Sequence, residues 1–169
     1  KDREPVSMGP FTIIPYLVDH SAYDAYAFLI EADGKKIFYS GDFRGHGRKA
    51  KLFQRLIKRP PPDIDILLME GSTLGRTGTD NEYPSEDELE DRLIKNFQST
   101  SGLTLVWTSS QNIYRMVTIY RACRKSRKKL IVDLYTASIL MSIKNPRLPQ
   151  PGFRDFYVFV PEFQRRLIK

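Results

Sequence analysis

Apolar positions along the chain follow two periods, two residues in some stretches and 3.6 in others, and these divide it into strands and helices. Phe11–Val18 reads as a strand leading to His20, with Pro15 inside it arguing for an edge position or a bulge. Ala25–Ala32 and Lys36–Tyr39 are two further strands joined through Asp33-Gly34. That pair predicts a tight hairpin, because glycine supplies the positive φ such a turn needs. Arg48–Lys58 places Leu52, Phe53, Leu56 and Ile57 on one helical face, and Pro60-Pro61-Pro62 ends the helix. Ile64–Met69 is apolar apart from Asp65, as a strand covered on both faces beyond its first residues would be. The glycines, threonines and asparagine of Gly71–Asn81 predict a flexible connection.

The second half repeats the alternation. Ser85 with Glu88 forms a capping box, opening a helix with Leu89, Leu93, Ile94 and Phe97 at core spacing. Leu103–Trp107 reads as a strand, and Ser109 or Ser110 can cap a helix beginning near Asn112. That helix carries Ile113, Met116, Val117, Tyr120 and Cys123 on one face. Leu130–Leu134 is the next strand, Ala137–Ile143 a short helix and Phe156–Val160 a further strand; Asn145–Gly152, with three prolines, is a loop. The order strand–helix–strand predicts an α/β protein with a parallel sheet and right-handed crossovers. The best cut between domains falls near Arg76–Asn81, and no internal repeat or low-complexity tract is present.

Composition narrows the class. A length of 169 residues and a hydrophobic share of 41% suffice for a packed core of one domain or one and a half. Mean hydropathy is −0.40, and no apolar run approaches the ~20 residues of a spanning helix. A lone cysteine, Cys123, forms no internal disulfide and fits a reducing compartment, so a cytoplasmic protein without membrane attachment is expected. The net charge of +7 gives mild support to a polyanionic partner. The basic run Arg121, Arg124, Lys125, Arg127, Lys128 and Lys129 is explained mostly by the helix dipole and solvation, with phosphate binding as a further possibility. The aromatic residues, spread through apolar faces, read as core.

The most informative stretch is Asp19–Gly47, DHSAYDAYAFLIEADGKKIFYSGDFRGHG. It sets His20 in a loop after one strand and Asp42 just after another, so a hairpin between them could hold both at one edge of a sheet. An imidazole and a carboxylate are donors a divalent ion such as zinc accepts, although two ligands do not make a site. The alternative is a surface histidine and a turn aspartate.

The DHS and SGD segments resemble the third and fourth metal motifs of the metallo-β-lactamase fold hydrolases. Ile66–Arg76, ILLMEGSTLGR, resembles the segment that follows in the RNA-processing β-CASP group of that fold, and Trp107–Ala122, WTSSQNIYRMVTIYRA, the start of the group's inserted cap. The resemblance implies part of a metallo-β-lactamase αββα core over 1–78 and part of a parallel-sheet α/β cap over 79–169. It implies His20 as a metal ligand, Asp42 as a carboxylate bridging two zinc ions, and Glu70 as the acid that holds an active-site histidine network. Here the order is Glu-Gly-Ser-Thr, whereas the common pattern puts the acid directly before Ser-Thr. The function so implied is a metal-dependent phosphodiesterase acting on single-stranded RNA. The alternatives are a non-catalytic RNA- or protein-binding relative, or a hydrolase of small esters.

Around these residues Asp19 or Asp24 could accept the other imidazole N–H of His20 and fix its tautomer; Asp24 could equally cap or solvate its loop. His46 and Arg44 are candidates to approach substrate, or else a solvated loop histidine and a surface arginine. The sequence holds two histidines, His20 and His46. A complete two-metal centre of this family also uses an upstream HxHxDH motif and a downstream histidine. The chain is therefore expected to be a central part of a larger protein, with weak metal affinity and no hydrolysis of its own.

Overall fold

A computed structural model describes residues 1–71 and 83–167. The described residues form two compact units, Lys1–Ser85 and Glu86–Lys169. The boundary expected at Arg76–Asn81 lies outside the described residues, as do nearly all of the Gly71–Asn81 connection and the end of the Ile66–Arg76 segment.

The first unit is a five-stranded sheet in the order β1-β2-β3-β4-β5: β1 Val6–Met8, β2 Phe11–Leu17, β3 Tyr26–Ala32, β4 Lys35–Tyr39 and β5 Ile66–Leu68. Helix α1, Ala50–Lys58, connects β4 to β5. The expected hairpin is present: Ala32 pairs with Lys35, and Asp33 and Gly34 both have positive φ, 49° and 71°. That combination matches the right-handed twist of the flanking strands. Pro15 pairs with Phe28 on its β3 side, while β1 covers only Phe11–Ile13 on the other. The proline thus sits where β2 has become an edge and no ladder N–H is needed.

Alternation along the strands sets the core. Ile14, Tyr16 and Val18 from β2 and its exit, Ala27 and Leu29 from β3, and Phe38 from β4 share one face. Tyr16 meets Phe38 edge-on at 5.7 Å, the arrangement favoured by the ring quadrupoles. Leu56 of α1 packs on this face, and Phe53 stacks on Phe43 at 5.6 Å.

Three expectations change here. The sheet is not wholly parallel: β1 to β4 form an antiparallel meander, and only β4–β5, across α1, is parallel. Ile57 is 64% exposed, because Leu52, Phe53 and Leu56 already fill the helix face that meets the sheet. β5 is not covered on both faces; among the described residues it is the edge strand, paired only with β4, and Ile66, Leu67 and Leu68 are all exposed.

The second unit contains α2 Glu86–Ser99, α3 Ile113–Lys125, β6 Leu130–Asp133, α4 Leu134–Ser142 and β7 Phe156–Phe159, then a 3₁₀ turn over Glu162–Leu167. β6 and β7 pair in parallel, as strand–helix alternation requires. The buried face of α3 comprises Ile113, Met116, Ile119 and Cys123 with Thr118 and Ala122; Val117 and Tyr120 lie at its margin. Asn112 itself caps α3, accepting from the Arg115 N–H at 3.2 Å, while Ser110 pairs with Thr136 at 2.8 Å. α4 starts before the expected position because Asp133 caps it through the Thr136 N–H at 2.7 Å.

Leu103–Trp107 belongs to no ladder among the described residues. Leu103 to Val106 line a groove of about 700 Å³ beside β6, with Leu103 81% and Leu105 87% exposed, and Trp107 beyond them is 102% exposed. The aromatic residues are accordingly not all core: Trp107, Tyr135, Phe159 and Phe163 face solvent.

Candidate functional site

Strand direction brings the sequence-predicted residues together. β2 and β4 each run antiparallel to β3, and β5 runs parallel to β4. The C-terminal ends of β2, β4 and β5 therefore lie at one end of the sheet. His20 follows the first, Asp42 the second and Glu70 the third. β2 and β4 are two strand spacings apart, roughly 9–10 Å at the backbone.

The turn that carries Asp42 is tied to β5. Ser40, buried, receives the Glu70 N–H at its hydroxyl at 3.4 Å and donates that hydroxyl to the Gly41 carbonyl at 2.7 Å. The Ser40 N–H donates to the Leu68 carbonyl at 2.9 Å, and the Phe43 N–H to Glu70 Oε1 at 3.3 Å. Gly41, φ 56°, turns the chain where a Cβ would meet the Tyr26 carbonyl at 3.2 Å. Glu70 thus clasps the backbone immediately after Asp42. The Asp42 side chain is exposed and, among the described residues, makes no hydrogen bond or ion pair.

His20 is half-buried, its Nδ1 3.4 Å from the Ser21 hydroxyl. Neither neighbouring carboxylate takes the tautomer-fixing role. Asp24, φ 50°, pairs with Lys49 Nζ at 2.9 Å, and that ammonium also lies 5.3 Å from the Tyr23 ring centre. Asp19 is completely buried and turns toward the loop after Asp42, where Gly47 and Lys49 donate to it. Arg44 is not on the surface; its side chain is 12% exposed and faces Asp19 at 3.7 Å. His46 stacks on Tyr83, ring centres 5.4 Å apart and planes 21° from parallel.

Sequence reasoning missed three contributors: Ser40, Tyr83 and the true partner of Asp19. Ser40 stood in plain view beside Gly41-Asp42. Tyr83 carried no signal, because 37 positions separate it from the histidine it meets. Donor chemistry was readable, donor number was not: among the described residues no three His, Cys, Asp or Glu side chains gather as one ion would need.

The basic run of the second unit is largely engaged internally. Arg121 and Lys125 pair with Glu90, Arg124 with Asp155, Lys128 donates to the Thr100 carbonyl, and Lys129 lies over the Tyr157 ring. No described helix is long and apolar enough to cross a membrane.

No protein-family model matches the chain. It is 27% identical over 134 residues to ribonuclease J of Helicobacter pylori strain 26695, and equally to that of strain J99. The match spans 77% of this chain and 19% of the relative's length. A crystal structure of a protein of unknown function from Enterococcus faecalis V583 has the same fold, with a TM-score of 0.71 at 20% identity. It covers 97% of this chain and 45% of that one. The chain is thus a mixed α/β protein, distantly similar over part of its length to a ribonuclease.

Proposed function

We propose that the chain is part of a metal-dependent phosphodiesterase of the metallo-β-lactamase fold and β-CASP group, cytoplasmic and acting on single-stranded RNA. The carrying observation is the convergence of His20, Asp42 and Glu70 at one end of the sheet. The distant similarity to ribonuclease J supports the choice of RNA over a small ester.

By donor type, His20 and Asp42 fit zinc, an imidazole nitrogen and a carboxylate oxygen. By number they are two of the four ligands a zinc ion takes, so further donors must complete the set. When bound, zinc supplies positive charge that favours deprotonation of an attacking water and offsets charge on a phosphoryl oxygen. In this reading His20 and Asp42 are ligands, and Asp42 is ready to serve because no group among the described residues competes for its carboxylate. Glu70 acts by holding the Phe43 N–H, which fixes the turn presenting Asp42.

The test is Asp42→Ala in the full-length protein. Asp42 is an exposed turn residue, so its loss removes no core packing. The expected result is loss of RNA hydrolysis and of bound zinc with an unchanged melting temperature. Normal turnover with full metal content would refute the assignment.

A further inference from the structure

We infer that Asp19 is a positioning residue for the loop after Asp42, fixing Gly47 and Lys49 so that His46 is held against Tyr83. This goes beyond the catalytic reading and stands whether or not the chain cleaves RNA.

A buried carboxylate is costly unless its oxygens are satisfied, and every partner Asp19 finds lies in one loop. The Gly47 N–H donates to Oδ2 at 2.7 Å, the Lys49 N–H reaches Oδ1 at 3.4 Å, and Arg44 Nε stands 3.7 Å from Oδ1. The Asp19 carbonyl also accepts from the Arg44 N–H at 2.7 Å. Backbone and side chain of one residue therefore grip the segment at both ends.

The local sequence explains why the grip is needed. α1 has Lys49 at its N-cap, and that side chain makes no capping bond. The usual remedy is a Ser, Thr, Asp or Asn at that position. Here the carboxylate arrives from 30 positions earlier in sequence, and its charge suits the positive end of the helix dipole.

Gly47 completes the device. A Cβ at that position would overlap both Asp19 carboxylate oxygens and stand against Arg44 Nε, so only glycine lets the carboxylate approach the backbone. His46 precedes this fixed amide directly. Its imidazole is thereby kept on Tyr83, four positions from Asp42, instead of sampling the rotamers of a free loop.

The chain holds two histidines, so imidazole resonances in a ¹H–¹³C spectrum give a direct reading of each. Asp19→Asn preserves shape but sets an amide N–H against the loop's own donors. The expected result is that the His46 resonance loses the ring-current shift of Tyr83 and moves toward that of a free histidine, while His20 stays. Tyr83→Leu should move the same resonance in the same direction. Movement of His20 with His46 unchanged would assign Asp19 to the neighbouring histidine and overturn the inference. A second measurement needs no variant: the Gly47 amide of the unaltered chain should exchange on the order of a hundredfold or more slower than free backbone, as an amide in a locally stable unit does. Exchange at the unprotected rate would overturn the inference as well.

Discussion

The two units bury carboxylates by different means. In the first, Asp19 is satisfied chiefly by backbone N–H groups of one loop. In the second, Glu86 and Glu90 are paired with side chains across the α2–α3 contact. Glu86 takes Arg115 Nε at 3.1 Å and the Thr118 hydroxyl at 2.6 Å; Glu90 takes Arg121 at 3.2 Å and Lys125 at 2.8 Å. A carboxylate held by backbone dictates the conformation of the segment that holds it. One held by long side chains clamps two helices and leaves their backbones unaffected. The first arrangement suits a loop beside a candidate site, the second a scaffold.

The clamp can be broken at its most buried point. Glu86 is 2% exposed, and Arg115 engages it through both oxygens. Glu86→Ala should destabilise the second unit by about 3–5 kcal/mol, the usual cost of stranding one partner of a buried pair. Cys123 provides a local readout: it is the only cysteine, lies in the α3 core, and burial pushes its thiol up to about 11. Near neutral pH it therefore labels only when the unit opens. Thiol labelling should accelerate strongly in Glu86→Ala; an unchanged rate would show that the glutamate is incidental.

Glu90→Gln should do less. Arg121 and Lys125 are about half exposed and regain hydration when the charge they face is removed. A loss of about 1 kcal/mol is expected, measured as a shift in urea midpoint at constant slope. A loss equal to that of Glu86→Ala would mean that burial of the cation does not matter, and the contrast between the two pairs would fail.

How far the sequence disclosed this follows from which interactions are local. The Asp33-Gly34 hairpin, the Pro60 stop and the periodic helices were legible because turn chemistry and helix faces are set within a few residues. β1 was invisible: three exposed residues leave no pattern. Leu103–Trp107 has the composition of a strand but no partner in a described ladder, and pairing cannot be read from one segment alone. In the candidate site, His20, Asp42 and Glu70 were found as residues that follow strands. The role of Asp19 was misjudged because it is next to His20 in sequence while its side chain serves a loop 25 to 30 positions away.

The smallest effect belongs to a pair in which burial is taken away. Asp65 accepts from both Lys35 Nζ, at 2.7 Å, and the Lys36 N–H, at 2.9 Å, so it combines the two means of holding a carboxylate at an exposed position. The Lys35 hydrogen bond, with the Lys36 N–H, holds the Asp65 carboxyl below its ordinary 3.8; the same bond raises the Lys35 ammonium above 10.5. A depressed carboxylate pKa contributes stability above 3.8 that disappears as pH falls through the folded value. A raised ammonium pKa contributes below 10.5 and is lost as pH rises through its folded value. The pair should therefore help throughout the range between them and vanish at either extreme. Asp65→Asn is expected to lower the urea midpoint slightly at pH 7, to match the parent near pH 2, and to lose part of its effect in high salt. A deficit that persisted at pH 2 would mean that Asp65 acts through shape and its hydrogen bond to the Lys36 N–H, with its charge irrelevant.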